Sequence, residues 1–256
     1  MKRTDVVFII SLIALAAFVG LEARDAERIS PRGADGAGAP MVNSTSGSVA
    51  YVEKGAAGAS DRSVAERDVA EVQQRLRLGA AGTYIGEVLL TRDSALARWS
   101  DRRLEPLRVW VQRASAVPDF DESYPGIVRD AFEDWSTTGI PLAFTFVNDS
   151  VSADVHVTWI DHFDESISGK TLWAHDDDWY IVEANIILAL HHNGGDALDA
   201  SAVRAIALHE VGHLIGLDHT TDASNIMTPK VRVKELSPAD RATARLLYLL
   251  PPGPVK

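Results

Sequence analysis

The sequence predicts an α+β domain over residues 84–256, preceded by an N-terminal part of different composition. Three observations lead to this fold class. Hydrophobic residues make up 46% of the 256 residues and charged residues 24%, which is typical of a globular chain with a buried core. Apolar residues alternate in several short stretches, as in half-buried strands, and recur at helical spacing in others. These stretches follow the order strand, helix, several strands and then two helices.

The elements of this domain can be assigned in chain order. Alternating apolar residues predict a first strand at 107–111, and a helix follows with Ser123 as its N-cap and Gly139 at its end. The remaining predicted elements are strands at 142–146, 155–159 and 184–190 and helices over 200–215 and after Ser237. Asp240 stands three residues after Ser237, which is the spacing of a capping box.

Residues 1–23 have the pattern of a signal peptide or a signal anchor. Lys2 and Arg3 precede an apolar stretch over 6–21, whose length lies between that of a signal-peptide core and the ~20 residues of a spanning helix. Because the positive end stays in the cytoplasm, we expect the rest of the chain to be exported, either secreted or anchored in the membrane through residues 6–21. Cleavage and retention both stay open, since Phe18 and Leu21 stand where a cleavage site needs small residues.

Two segments connect this N-terminus to the domain. Residues 24–60 are rich in Gly, Ala and Ser and predict a flexible linker. Residues 61–83 contain an amphipathic helix that Gly79 and Gly82 end. Its apolar stripe is Ala65, Val69, Val72 and Leu76. The stripe is compatible with packing on the domain, with a pro-segment or with association.

Charge and residue types exclude several classes of function. The net charge of −11 argues against a nucleic-acid-binding protein, and the lack of cysteine excludes disulfides, thiolate metal sites and cysteine nucleophiles. Residues 149–200 hold eleven acidic residues and one basic residue, and all eight histidines lie between His156 and His219. This clustering favours metal chemistry, with a solvated acidic face as the alternative.

A motif between His209 and His219 carries that chemistry. On a helix, His209 and His213 lie one turn apart on the same face and can bind one zinc ion. Glu210 lies beside them and can act as general base on a water molecule. Gly216 lets the helix end in a sharp turn that brings His219 back as a third ligand. Three protein ligands leave the fourth position open, as in catalytic zinc sites.

This motif, H-E-x-x-H-x-x-G-x-x-H followed by Met227, resembles the metzincin zinc proteases. Pro229 stands where astacins and serralysins carry a tyrosine, and the chain looks most like a matrixin, similar to matrix metalloproteinases and compact bacterial relatives. The resemblance covers residues 107–249 and implies a twisted mixed sheet with an active-site helix and a C-terminal helix. It further implies His209, His213 and His219 as zinc ligands, Glu210 as catalytic base, Met227 as a hydrophobic floor, and a substrate-pairing strand at 171–174.

The sequence also departs from that family. Animal matrixins use a pro-segment cysteine for latency, and this chain has none. Of the family's structural zinc ligands, His162, Asp164 and His175 match in order, whereas Asn185 stands in the place of another histidine and His191 or His192 would have to substitute. We therefore expect one catalytic zinc ion. Asp176, Asp177 and Asp178 are candidate ligands for a calcium ion, with a plain acidic loop as the alternative.

The predicted function is a zinc-dependent endopeptidase that acts on protein or peptide substrates. The alternatives are a non-catalytic binding or anchoring protein at the cell surface with the same fold, and a zinc hydrolase that acts on something other than protein. The sequence gives neither the oligomeric state nor the substrate sequence.

Overall fold

In the computed structural model, which describes residues 50–53, 69–92 and 94–255, a six-stranded mixed sheet forms the centre of the fold. Its strands are β1 (Ala50–Glu53), β3 (Arg102–Val111), β4 (Leu142–Phe146), β5 (Val155–Ile160), β6 (Gly169–His175) and β7 (Ile181–Ala189). They lie in the order β1-β6-β7-β5-β3-β4. A separate antiparallel pair joins β2 (Ala95–Leu96) to β8 (Gly253–Pro254).

Within the sheet, β3, β4, β5 and β7 are parallel to one another, and β6 runs antiparallel to β7. Beyond β6, β1 pairs with it in parallel, from Ala50 opposite Leu172 to Glu53 opposite His175. The sheet is therefore mixed, as predicted. The strand β6 lies next to the helix that carries His209 and His213.

The described residues also form five α-helices, which are α1 (Val69–Gly79), α2 (Ile85–Thr91), α3 (Tyr124–Ser136), α4 (Ala200–Leu214) and α5 (Pro238–Leu249). The helices α3 and α4 pack against each other, and α4 also contacts β6 and β7. Trp135 on α3 is fully buried, and its indole N–H donates to the Leu208 carbonyl of α4 over 2.8 Å. This contact ties α3 to α4.

The predicted strands at 107–111, 142–146, 155–159 and 184–190 and the predicted helices are confirmed, with differences at their ends. The first strand starts earlier, at Arg102, because β4 pairs with its charged and exposed beginning through a register shift. Ser123 stands at the N-cap position of α3 without capping it, since its backbone is already helical and its side chain makes no cap bond. By contrast, Ser237 and Asp240 form the complete predicted capping box.

The structure adds elements that the sequence did not predict. The short helix α2 and the pair β2–β8 were missed, and residues 50–53, which we placed within a flexible linker, form β1. The open edge that β6 would otherwise present explains β1. The N–H and C=O groups along such an edge can pair with any extended segment that reaches them. The rest of the linker, the hydrophobic stretch 6–21 and residues 61–68 lie outside the described residues.

The amphipathic helix in 61–83 is present as α1 and ends at Gly79. Val72 and Leu76 of its stripe are buried, and Gln73 donates to the Val255 carbonyl over 2.9 Å. Gly79 lies so close to Leu246 of α5 that a side chain there would collide with it. The helix therefore packs on the C-terminal part of the domain. Within the described part of the chain, no helix combines the length and the apolar character needed to cross a membrane.

Candidate metal centre

The helix α4 carries His209, Glu210 and His213 of the predicted motif. Its first turn is capped by Asp199, whose carboxylate accepts a hydrogen bond from the Ala202 amide over 2.7 Å. The helix ends at Leu214, and Gly216 follows with φ of +102°. A Cβ at Gly216 would lie 2.2 Å from the Ala97 carbonyl oxygen, so only glycine allows both this conformation and this approach. The chain reverses here and brings His219 back to the helix.

The three predicted ligands converge through their Nε2 atoms. The separations are 3.1 Å between His209 and His213, 3.2 Å between His213 and His219, and 3.3 Å between His209 and His219. Among the described residues, this is the only group of three or more histidine or carboxylate side chains whose ligand atoms lie within 4.8 Å of one another. The sequence prediction that these three histidines meet is therefore confirmed.

The chemistry of the three imidazoles fits a zinc ion. Nδ1 of His209 lies 2.8 Å from the Ile226 carbonyl and Nδ1 of His213 lies 3.1 Å from the Leu217 carbonyl, so each Nδ1 carries the hydrogen and leaves Nε2 with a lone pair. Burial lowers the pKa of His209 to about 3 and the pKa of His213 and His219 below their usual range. Three neutral nitrogens this close match tetrahedral zinc, whose Zn–N bonds of about 2.0–2.1 Å separate the nitrogens by about 3.3 Å.

Glu210 lies beside the histidines and is almost fully buried, with 2% of its surface exposed. The Thr171 hydroxyl donates to its Oε2 over 2.6 Å. Burial raises the pKa of Glu210 to about 8, although the hydrogen bond from Thr171 acts in the opposite direction. A carboxyl group with a raised pKa is a stronger base once it is ionised. Thr171 lies in the strand that the family resemblance implies pairs with the substrate. Its contact with Glu210 is not predicted by the sequence.

The turn at residues 224–229, which carries Met227 and is called the methionine turn here, lies beneath α4. Met227 is fully buried, and a Cβ on Gly212 would come within 2.2 Å of its sulfur. The turn is held by Asp240 of α5, which is fully buried and accepts hydrogen bonds from the Ile226 amide at 3.0 Å and from the Tyr84 hydroxyl at 2.9 Å. The spacing to Ser237 predicts Asp240 only as a capping residue. Its connection to the turn depends on the packing of α5.

The loop that carries His219 is held from both sides by α2 and the residue after it. On one side, Arg92 donates to the carbonyls of Gly216 and Leu217 over 2.7 and 2.8 Å, and its Nε lies 3.3 Å from an Asp218 carboxylate oxygen. On the other side, Glu87 accepts hydrogen bonds from the Thr220 hydroxyl at 3.0 Å and the Thr221 amide at 2.7 Å. Nothing in the sequence pattern marks Glu87 or Arg92, because both partners lie more than a hundred residues away.

The candidate structural zinc set does not come together in the described chain. His162 is exposed and contacts Asp161, whereas His175 is buried, stacks on Trp179 at 4.4 Å between ring centroids and contacts the Asp176 carbonyl at 2.7 Å. Asp164 is exposed. His191 is also engaged elsewhere, between the carboxylates of Asp119 at 2.9 Å and Asp161 at 2.8 Å. His162, His175 and His191 therefore each contact different partners.

Comparisons with known proteins show which family this chain is similar to. A family model described as Matrixin matches residues 112–249. Metalloendoproteinase 1-MMP of Arabidopsis thaliana is 28% identical over 144 residues, which cover 52% of this chain and 39% of that protein. Matrix metalloproteinase-C of Caenorhabditis elegans is 24% identical over 178 residues, which cover 62% of this chain and 28% of that protein. The chain thus spans less than half of either relative.

The region that matches the family model includes α3, β4 to β7, α4 and α5, together with the three histidines, Glu210 and the methionine turn. The segment that contains α1, α2 and β1 to β3 lies before the matched region. Because the model matches more than half of the chain and the fold and the histidine geometry agree with it, this chain belongs to the matrixin family.

Proposed function

We propose that the protein is a zinc-dependent endopeptidase in which His209, His213 and His219 hold the zinc ion and Glu210 is the general base. The observation that carries this proposal is the convergence of three neutral imidazole Nε2 atoms within 3.3 Å of one another, next to a buried carboxyl group. Such an arrangement of buried groups with perturbed pKa values is typical of a catalytic site.

The proposed reaction is hydrolysis of a peptide bond. Zinc, when bound, lowers the pKa of a water molecule towards about 7 and polarises the scissile carbonyl. Glu210 then accepts the proton from the attacking water at its carboxylate and later passes it to the leaving amine. Burial raises the pKa of Glu210, and the positive charge of a bound zinc ion would favour the ionised carboxylate that accepts the proton.

The proposed substrate is a protein or peptide in extended conformation. The strand β6 contacts the proposed base Glu210 through the side chain of Thr171, and β6 has one edge that faces away from β7. That edge pairs with an extended segment in the structure, since β1 lies along it from Leu172 to His175. A substrate strand that used the same hydrogen-bonding groups would take the place of β1.

Peptide hydrolysis with and without a chelator tests this function. A mixture of fluorogenic peptides should be cleaved by the zinc-loaded protein, and the activity should be lost with chelator and return with added zinc. The variant Glu210→Ala is the control for contaminating proteases. If one zinc ion binds per chain but no peptide is cleaved, the result favours the alternatives. These are a binding protein with this fold and a hydrolase that acts on another class of substrate.

We also propose that the domain acts outside the cytoplasm, because Lys2 and Arg3 precede the apolar stretch 6–21. A reporter that works only in the cytoplasm, fused after Lys256, should be inactive. The mass of the mature protein distinguishes cleavage of the N-terminal segment from its retention as a membrane anchor. An active cytoplasmic reporter would contradict export.

A further inference from the structure

The strand β6 contacts the carboxyl group of Glu210 from a distant part of the chain. The hydroxyl of Thr171 lies 2.6 Å from Glu210 Oε2 and 3.0 Å from its backbone carbonyl oxygen. Both residues are 2% exposed, so water does not compete for this hydrogen bond. The shorter distance to the carboxyl group makes it the main acceptor of the single hydroxyl hydrogen.

Gly169 borders the same carboxyl group from the neighbouring position on this face of β6. A Cβ on Gly169 would lie 2.4 Å from Glu210 Oε1, 2.7 Å from its Cγ and 2.8 Å from its Cδ. Residues two apart on a strand point to the same side, so Gly169 and Thr171 face α4 together. The glycine leaves space for one carboxyl oxygen, and the threonine donates to the other.

We propose that Gly169 and Thr171 are positioning residues that hold the Glu210 carboxylate in its working orientation. This inference rests on the proposed function, since it concerns the base of that reaction. A glutamate side chain on α4 has three rotatable bonds, and its position on the helix does not fix where its carboxylate points. The space at Gly169 and the hydroxyl of Thr171 together fix that orientation.

The arrangement also links the base to the substrate. The strand that holds the carboxylate is the strand whose edge is proposed to pair with the peptide, so one rigid element sets both positions. Displacement of a catalytic group by about 1 Å can lower the rate about a hundredfold. A hydrogen bond to a charged acceptor contributes more than a neutral one, because the buried carboxylate has lost its hydration.

Three variants of the zinc-loaded protein test the hydroxyl. Thr171→Val keeps the shape of the side chain and removes the donor, and should lower kcat by about 10- to 100-fold with little change in KM and full zinc content. Thr171→Ser keeps the hydroxyl and should recover most of kcat. The matched control is Thr138→Val, because Thr138 is equally buried and donates to the Trp135 carbonyl at the end of α3. It should lose stability and keep kcat.

Gly169→Ala tests the space. The added methyl group would displace the flexible carboxyl end of Glu210, so kcat should fall while zinc is retained. A readout independent of activity is a double-mutant cycle of unfolding free energies with Thr171→Val and Glu210→Ala. The two changes should be non-additive, because the residues are in contact.

The inference is overturned if Thr171→Val keeps the kcat of the unmodified protein, if Thr171→Ser loses as much as Thr171→Val, or if the cycle is additive. An unmodified protein that binds zinc and cleaves no peptide would instead contradict the proposed function. The two failures are therefore distinguishable.

Discussion

At the scale of single residues, we expect substitutions of Glu210 and of the histidines on either side of it to have different effects. Glu210 lies on α4 beside the ligands, and its carboxyl group contacts β6. The histidine nitrogens point instead towards one another, at 3.1 to 3.3 Å. If the proposed function holds, loss of Glu210 removes a step of the reaction, whereas loss of one of the histidines removes the metal itself.

We expect Glu210→Ala to lower kcat by roughly 10²- to 10⁴-fold and to leave the fold and the zinc content intact, because only proton transfer is lost. Steady-state kinetics and metal analysis of the same sample check this. His219→Ala should lose zinc and activity together. Near-normal turnover in the first variant, or one zinc ion retained in the second, would contradict the assigned roles.

Arg92 gives the second prediction at this scale. Its side chain forms a buried ion pair with Asp218, next to the ligand His219, and lies over the ring of Trp173 on β6 at 5.2 Å. Arg92→Met leaves the Asp218 carboxylate buried opposite an apolar group, which should lower the free energy of unfolding by about 3–5 kcal/mol and weaken zinc binding. Denaturant unfolding and competition with a chelator measure the two effects.

The double variant Arg92→Met with Asp218→Asn is the control for this prediction. It removes the uncompensated charge, so part of the lost stability should return. Unchanged stability in Arg92→Met alone would show that the ion pair does not hold the loop of His219.

At the scale of elements, His191 joins three parts of the chain. It lies just after β7, and its carboxylate partners are Asp119 in the loop before α3 and Asp161 just after β5. The hydrogen bond to Asp119 is the main cause that raises the pKa of His191 above its usual value, and its burial acts in the opposite direction. Both carboxylates are more than half exposed, so solvent screens part of the effect.

This contact predicts a pH dependence of stability. A histidine whose pKa is raised in the folded state stabilises it fully below the unfolded pKa of about 6.5, and that contribution is lost as the pH rises through the folded pKa. His191→Asn should therefore reduce the loss of stability that the protein shows above pH 6.5. Denaturant midpoints from pH 5 to 9 measure it.

The complementary variant is Asp119→Asn, which removes the main partner that raises the pKa of His191 and should reduce the same loss of stability. An identical profile for His191→Asn and the unmodified protein would mean that the two carboxylates do not act on His191.

At the scale of the whole molecule, the prediction concerns metal content. We expect one zinc ion per chain after exhaustive dialysis, bound by the three converging histidines. Removal of the ion should lower the unfolding temperature, because a ligand that binds only the folded state stabilises it, by about 2.7 kcal/mol at a free concentration one hundred times its Kd. Metal analysis and thermal unfolding with and without zinc check both statements.

His162→Ala is the control, and it should keep the single zinc ion. Two zinc ions per chain, one of them lost in that variant, would show that His162, Asp164 and His175 form a structural site after all. Added calcium that raises the unfolding temperature would support the acidic loop at Asp176, Asp177 and Asp178 as a binding site.

The sequence alone was enough to predict that three histidines converge beside a glutamate, and to predict most of the domain. His209 and His213 share a helix face, and Gly216 allows the turn that returns His219, so their convergence follows from local geometry over eleven consecutive residues. The same holds for strands with alternating burial, such as Val155, Val157 and Trp159, and for the capping box at Ser237. Periodicity and capping are local, and a local pattern can be read without knowing what lies across the fold.

Only the tertiary structure decided which distant residues hold these groups in place. Thr171 meets Glu210 across 39 positions, Arg92 meets the Gly216 carbonyl across 124, and Glu87 meets Thr220 across 133. The strand β1 likewise depends on the free edge of β6, which no property of residues 50–53 reveals. Each of these contacts requires the sheet to have brought remote segments together, because hydrogen bonding depends on positions in space that sequence spacing does not specify.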